Sequence, residues 1–179
     1  MNLRFDHSSS YQILQSLGKG GMGEVFLAQE GVSGRLVALK RMRAELKDSA
    51  VLRERFLREA RITATLTHPS IIPVFNIYAD QSIPYFTMPY VEGETLKKIL
   101  KTAFEEEKIA EPKHPIGSSI MALTRIFLSV CEAVAYTHAK GILHRDLKPD
   151  NIIVGKYGEV LILDWGLADF IGQEETSFS

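Results

Sequence analysis

His144-Arg145-Asp146-Leu147-Lys148-Pro149-Asp150-Asn151, followed eighteen residues after Asp146 by Asp164-Trp165-Gly166, is the stretch on which the reading of this chain turns. At average residue frequencies a given eight-residue string arises by accident with odds on the order of 10⁻⁸. It gathers two carboxylates, an ammonium and an amide into the six positions from Asp146 to Asn151, and a further carboxylate, Asp164, follows. Before it, Ile120 to Ala139 is predicted as a helix with Leu123, Ile126, Phe127, Val130, Val134 and Ala135 on one face and Gly141 just past its end. After it, Ile152-Ile153-Val154 and Val160-Leu161-Ile162-Leu163, joined by Lys156-Tyr157-Gly158, read as a hairpin.

Toward the N-terminus, Glu94 to Leu100 reads as a short helix, and the next twenty residues, with Glu105-Glu106-Glu107, Pro112 and Pro115, read as an exposed insertion. Two β-rich runs, 71–78 and 83–91, are broken by Pro73, Pro84 and Pro89, which suits edges or strand ends. Between Val51 and Leu66, Leu52, Phe56, Ala60 and Ile62 recur at helical spacing among Arg and Glu, and His68-Pro69 stops the run. Leu36-Val37-Ala38-Leu39-Lys40 is a strand after the turn 31–34. Strands Tyr11 to Leu17 and Val25 to Ala28 flank Gly18-Lys19-Gly20-Gly21-Met22-Gly23. A dinucleotide-binding turn would put a helix after those glycines and an acidic residue about 20 positions on. Here a strand follows, and the ionisable residue near that distance is Lys40, so a dinucleotide oxidoreductase is set aside. A glycine hairpin can instead lie as a flap whose backbone N–H groups approach phosphate oxygens.

Composition sets the outer bounds. The 179 residues, 45% hydrophobic and 24% charged, are enough for one folding unit or two small lobes of α+β layering. A formal net charge of -1 gives no basic field for a nucleic acid. No run of 18 apolar residues occurs and the first residues lack the plan of a signal peptide, so no membrane segment is expected. The single cysteine, Cys131, sits in an apolar run and is expected as a buried structural thiol, and one thiol suits a reducing, cytoplasmic setting.

From about Tyr11 to Phe170 these motifs, in this order, resemble the bacterial eukaryotic-like (Hanks-type) Ser/Thr protein kinases. Gly20 to Val25, Phe56-Leu57-Arg58-Glu59-Ala60, the insertion and Asp164-Trp165-Gly166 look most like the PknD branch found in chlamydiae. The resemblance implies a protein-kinase-like α+β fold: a five-stranded antiparallel N-lobe with one main helix, and a mainly helical C-lobe. It divides the chain into a polar leader at 1–10, N-lobe and hinge at 11–91, and a partial C-lobe at 92–179 with an insertion at about 101–119. The chain stops thirteen residues after Gly166 without Ala-Pro-Glu, so that lobe is expected to be incomplete.

The implied reaction moves the γ-phosphoryl group of ATP to a Ser or Thr hydroxyl of a protein, with Mg²⁺ or Mn²⁺. Such transfer rests on positioning and charge neutralisation. Lys40 would pair with the α- and β-phosphates while Glu59 holds its ammonium. Asp146 would take or orient the hydroxyl proton, Lys148 would reach the γ-phosphate, and Asn151 and Asp164 would ligate the metal. Leu17, Gly18, Lys19, Gly20, Gly21, Met22 and Gly23 would form the flap. Val25 and Ala38 would cover one adenine face and Ile153 the other. In the hinge, Met88 would back the pocket, Pro89 would offer its carbonyl and Val91 its N–H. His144 is expected to be structural. Arg145 resembles kinases in which an activation-loop phosphate offsets this charge, and Thr176, Ser177 and Ser179 are the candidates. Trp165 replaces the usual Phe of the metal-binding triplet. The competing reading is a non-catalytic ATP-binding or interaction module derived from a kinase. The sequence itself sets no oligomeric state.

Overall fold

The computed structural model describes residues 11–106 and 120–172. They form two compact units, one of residues up to Thr65 together with Pro73–Val91, the other of Leu66–Ile72 together with the residues from Glu92 on.

The first unit is built on strands β1 (Tyr11–Lys19), β2 (Gly23–Glu30), β3 (Leu36–Met42), β4 (Asn76–Tyr78) and β5 (Tyr85–Pro89), in the antiparallel order β1-β2-β3-β5-β4. Alternation sorts their side chains. Val37, Leu39, Phe26 and Ala28 go to one face with Tyr11 and Tyr85. Register pairs Val25 with Lys40, Lys40 with Phe86, and Ala38 with Met88, so these five share the other face. That face is covered by helix α1 (Ala50–Ala64), whose Phe56, Leu57 and Ala60 join Met42 and Phe86 in a buried cluster. Full burial of a side chain such as Phe56 is worth about 1.5–3 kcal/mol. The helix begins at Ser49, whose hydroxyl accepts from Leu52 N at 3.4 Å, and it closes at Thr65, whose hydroxyl donates to Ile62 O at 2.7 Å.

Of the run 71–78 only Asn76–Tyr78 is strand. Its beginning belongs to the second unit, where Ile71 bridges Ile162 and Ile72 N donates to Ile162 O at 3.3 Å.

In the second unit, β6 (Gly93–Thr95), β8 (Ile152–Gly155) and β9 (Val160–Ile162) make a three-stranded sheet, and β7 (Ile142–Leu143) pairs with β10 (Asp169–Phe170). Close crossing is enforced at Gly93, where a Cβ would lie 2.4 Å from Val154 O. The hairpin between 152 and 163 matches expectation. Helix α2 spans Leu96–Glu106, so Glu94 and Thr95 are strand, and the helix runs into the segment expected as insertion. The remainder of that insertion, the leader and Thr176, Ser177 and Ser179 lie outside the described residues.

Helix α3 (Ile120–Ala139) forms where expected and is closed by Gly141 in a left-handed conformation, φ 73°, with its N–H on His138 O at 2.9 Å. Two expectations about it are corrected. The face turned inward is Ile126, Val130, Ala133 and Thr137, while Phe127 and Ala135 stand outside. Cys131 is exposed as well. Apolar residues ring this helix, so periodicity left the choice of face open, and the strands β7 and β9 beside it made the choice. By length and composition α3 could cross a membrane, the one described helix of which this holds.

Candidate active site

In the first unit the flap is a hairpin in which Gly20 N donates to Gly23 O at 2.8 Å. Of its glycines, Gly23 is the one that packing demands. A Cβ there would lie 3.2 Å from Arg41 O and 3.3 Å from both Lys40 Cε and Phe56 Cε2, whereas Gly18 and Gly21 face open space. Sequence reasoning passed over Arg43, whose backbone N–H reaches Met22 O at 3.0 Å and whose guanidinium reaches Gly21 O at 3.4 Å, tying the flap to the end of β3. Lys19 is paired with Glu24 at 2.8 Å across the hairpin, and Leu17 is partly exposed.

Lys40 reaches across to α1, where its Nζ lies 2.5 Å from Glu59 Oε1. Glu54, the competitor along the helix, is exposed and pairs with Arg61 at 2.7 Å, so the fold itself selects Glu59. Both partners are sheltered, with Lys40 at 15% and Glu59 at 3% side-chain exposure. A buried ion pair holds its geometry because either partner alone would carry an uncompensated charge. Arg53, not singled out from the sequence, clamps α1 to the β4–β5 connection by donating to the carbonyls of Ala79, Gln81 at 2.8 Å and Ser82 at 3.3 Å. Val25, Ala38 and Met88 stand on the same sheet face as Lys40, while Pro89 ends β5 opposite Val37 and Val91 closes the unit.

In the second unit the loop from His144 to Asn151 is organised around Asp146. Lys148 Nζ sits 2.7 Å and 3.0 Å from the two carboxylate oxygens. Asn151 Nδ2 donates to Asp146 O at 2.8 Å and to Oδ2 at 3.1 Å. Those hydrogen bonds, Lys148 first, hold the Asp146 carboxyl below the usual carboxylate range, and Asp146 in turn raises Lys148. His144 is buried, accepts from Asp146 N through Nδ1 at 3.2 Å and faces Leu163 O through Nε2 at 3.1 Å. With the proton on Nε2, the neutral ring satisfies both partners, and burial pushes its pKa down. It is a strut between the loop and Leu163, just past β9.

The same strut brings the second carboxylate close. Leu163 N donates to Asn151 O at 2.8 Å, and Asp164 is the next residue, in a left-handed conformation with φ 56°. Such a conformation costs a residue with a Cβ about 1–2 kcal/mol and persists where the surroundings hold it. Behind it Trp165 is buried against His144, ring centroids 4.5 Å apart. Its indole N–H has no acceptor among the described residues. With Asn151 Nδ2 committed to Asp146, its oxygen is left as a donor, and the Asp164 carboxylate, whose Oδ1 accepts from Gly166 N at 3.4 Å, supplies hard oxygens as well. That donor set fits Mg²⁺, which takes few protein ligands and keeps waters and phosphate oxygens for the rest. Among the described residues no three His, Cys, Asp or Glu side chains gather as a metal cage. Ile153 is half-buried on β8, opposite Leu161 and Thr95.

A glycine hairpin over a paired lysine in one unit, and an Asp-Lys-Asn loop with a following Asp in the other, are each of a kind that phosphoryl transfer uses. The chain belongs to the protein kinase domain family, whose sequence profile it matches over residues 11–179. It is similar to the serine/threonine-protein kinase PknD of Protochlamydia amoebophila, 55% identical over 166 residues that cover 93% of this chain and 17% of the relative. PknD of Chlamydia pneumoniae is 48% identical, covering 92% of this chain and 18% of the relative. PknD of Chlamydia trachomatis serovar D is 49% identical, covering 89% and 17%. The chain thus spans about a sixth of the length of these curated relatives.

Proposed function

We propose that this chain carries the nucleotide-binding and transfer residues of a Ser/Thr protein kinase. The observation that supports this most is the Asp146 carboxylate, kept ionised by Lys148 and oriented by Asn151. In the proposed reaction the bond between the γ-phosphorus of ATP and the β–γ bridging oxygen breaks. A bond from that phosphorus to a Ser or Thr hydroxyl oxygen forms, Asp146 receives the hydroxyl proton, and ADP departs. Lys148 would meet charge on the transferred group, and a lysine two residues past Asp146 resembles the Ser/Thr-specific kinases rather than those that act on Tyr. Lys40, oriented by Glu59, holds the α- and β-phosphates, the flap from Leu17 to Gly23 covers them, and Val25, Ala38, Met88, Pro89, Val91 and Ile153 serve adenine. Asn151 and Asp164 hold Mg²⁺, or Mn²⁺ with the same oxygen preference. When bound, the metal neutralises phosphate charge. The partners are ATP and Ser/Thr-containing proteins, with no role for nucleic acid, and the site of action is the cytoplasm, in keeping with the single thiol.

Incubation with γ-labelled ATP and Mg²⁺ tests the reading. Label on protein, lost in Asp146→Asn, is expected. A nucleotide-dependent rise in melting temperature with no label would favour the non-catalytic module.

A further inference from the structure

Asp169 is a buried carboxylate that the proposed reaction does not use. It opens β10, with 11% side-chain exposure, and its two oxygens are both engaged: Oδ2 lies 2.6 Å from Arg145 Nη1 and Oδ1 accepts from Phe170 N at 2.9 Å. Arg145 is the residue before Asp146 and holds a left-handed backbone, φ 65°, which an arginine adopts only where its surroundings fix it. The strand leading into the loop is fixed from the same place, since Asp169 and Phe170 pair with Leu143 and Ile142, and Ile171 N donates to Gly141 O at 2.7 Å. Arg145 is half-exposed while Asp169 is buried, so the carboxylate is the anchored member and the guanidinium is the one drawn to it.

We propose that Asp169 is a positioning residue for Asp146, acting through Arg145. Its carboxylate supplies from within the chain the negative charge that pins Arg145 in its left-handed turn and so sets the direction of the neighbouring Asp146. A phosphate on Thr176, Ser177 or Ser179 is then not required for that purpose. This rests on the kinase reading above for its catalytic arm, but its structural arm stands apart.

The test uses the full chain with Asp169→Asn, Asp169→Glu, Arg145→Met and the Asp169→Asn/Arg145→Met double variant. Hydrogen exchange is followed by mass spectrometry in peptides covering 142–148 and, as an internal reference, the β8–β9 hairpin. Asp169→Asn should speed exchange at 142–148 and leave the hairpin unchanged, Asp169→Glu should restore protection, and the double variant should exchange no faster than Arg145→Met. In phosphoryl transfer, Asp169→Asn should lower kcat about 10- to 100-fold, as a small misplacement of a reacting group does, with the KM for ATP unchanged. Phosphatase treatment of the unsubstituted protein should leave kcat unchanged. Unaltered exchange at 142–148, additive effects of the two substitutions, faster exchange spread equally over the hairpin, or loss of kcat on dephosphorylation would each overturn the proposal. Absence of transfer by the unsubstituted protein would count against the kinase reading, while the exchange measurements would still decide the role of Asp169.

Discussion

The two units hold their charged residues by opposite means. Lys40 and Glu59 come from a strand and a helix nineteen residues apart, meet in a sheltered place, and depend on the whole packing of α1 against the sheet. Asp146 and Lys148 are two residues apart, lie nearer solvent, and depend on the path of one loop. A pair of the first kind doubles as a structural part, so its loss is felt in stability and function together. A network of the second kind can be altered while the fold stands, because exposed pairs contribute little to stability.

The sharpest way to break this contrast is Asp146→Asn. Transfer should fall about 10²- to 10⁴-fold, the range for loss of a proton-accepting group, with the melting temperature nearly unmoved. A large fall in melting temperature would erase the distinction between the units. Lys40→Met should do the reverse in stability: removing one partner of a buried pair costs about 3–5 kcal/mol, read as a lowered denaturation midpoint. Adding Glu59→Gln should recover part of that loss, and failure to recover any would show that the two side chains do not depend on each other.

Smaller effects sharpen the comparison through pH. Lys148 holds the Asp146 carboxyl down, so the carboxylate persists as pH falls below the ordinary aspartate value of about 3.9. In Lys148→Met the acid limb of the pH–rate profile should move upward. For His144 the folded pKa lies below the unfolded value of about 6.5, so the unfolded chain takes up a proton first as pH drops. Stability from this residue is therefore complete above that value and is lost as pH falls from there toward the folded pKa. His144→Asn should flatten that part of a melting-temperature profile. The smallest effect is expected for Trp165→Phe. Relief of an unsatisfied buried N–H, worth about 1–3 kcal/mol, opposes a cavity cost of similar size. Chemical denaturation should place the variant within about 1 kcal/mol of the parent, and a larger loss would mean that the indole nitrogen has an acceptor.

What could be read from the amino acids follows the same division. The loop from His144 to Asn151 is local, so one contiguous motif carried the resemblance from which its chemistry was expected, and its contacts followed the chain. The hairpin at 152–163 and helices α1 and α3 announced themselves by period and by their ends. Strands β7 and β10 could not, because two residues carry no period. Asp169 was missed for a related reason: its partner Arg145 lies 24 residues away, and nothing in Leu167-Ala168-Asp169 marks a buried carboxylate. Arg53 was one more cation on a charged helix until the carbonyls of Ala79, Gln81 and Ser82 gathered around it. Glu59 could be chosen over Glu54 from the resemblance alone, since both occupy similar helical surroundings in the sequence and only the fold buries one of them.

The outward turn of Cys131 has a practical side. A chain with one sulfhydryl, standing on the solvent side of α3, accepts a maleimide fluorophore at a single known place without any engineering. Its neighbours along that side, Phe127 and Leu128, are apolar and exposed among the described residues, so the dye's emission colour would report directly whether anything comes to rest on them.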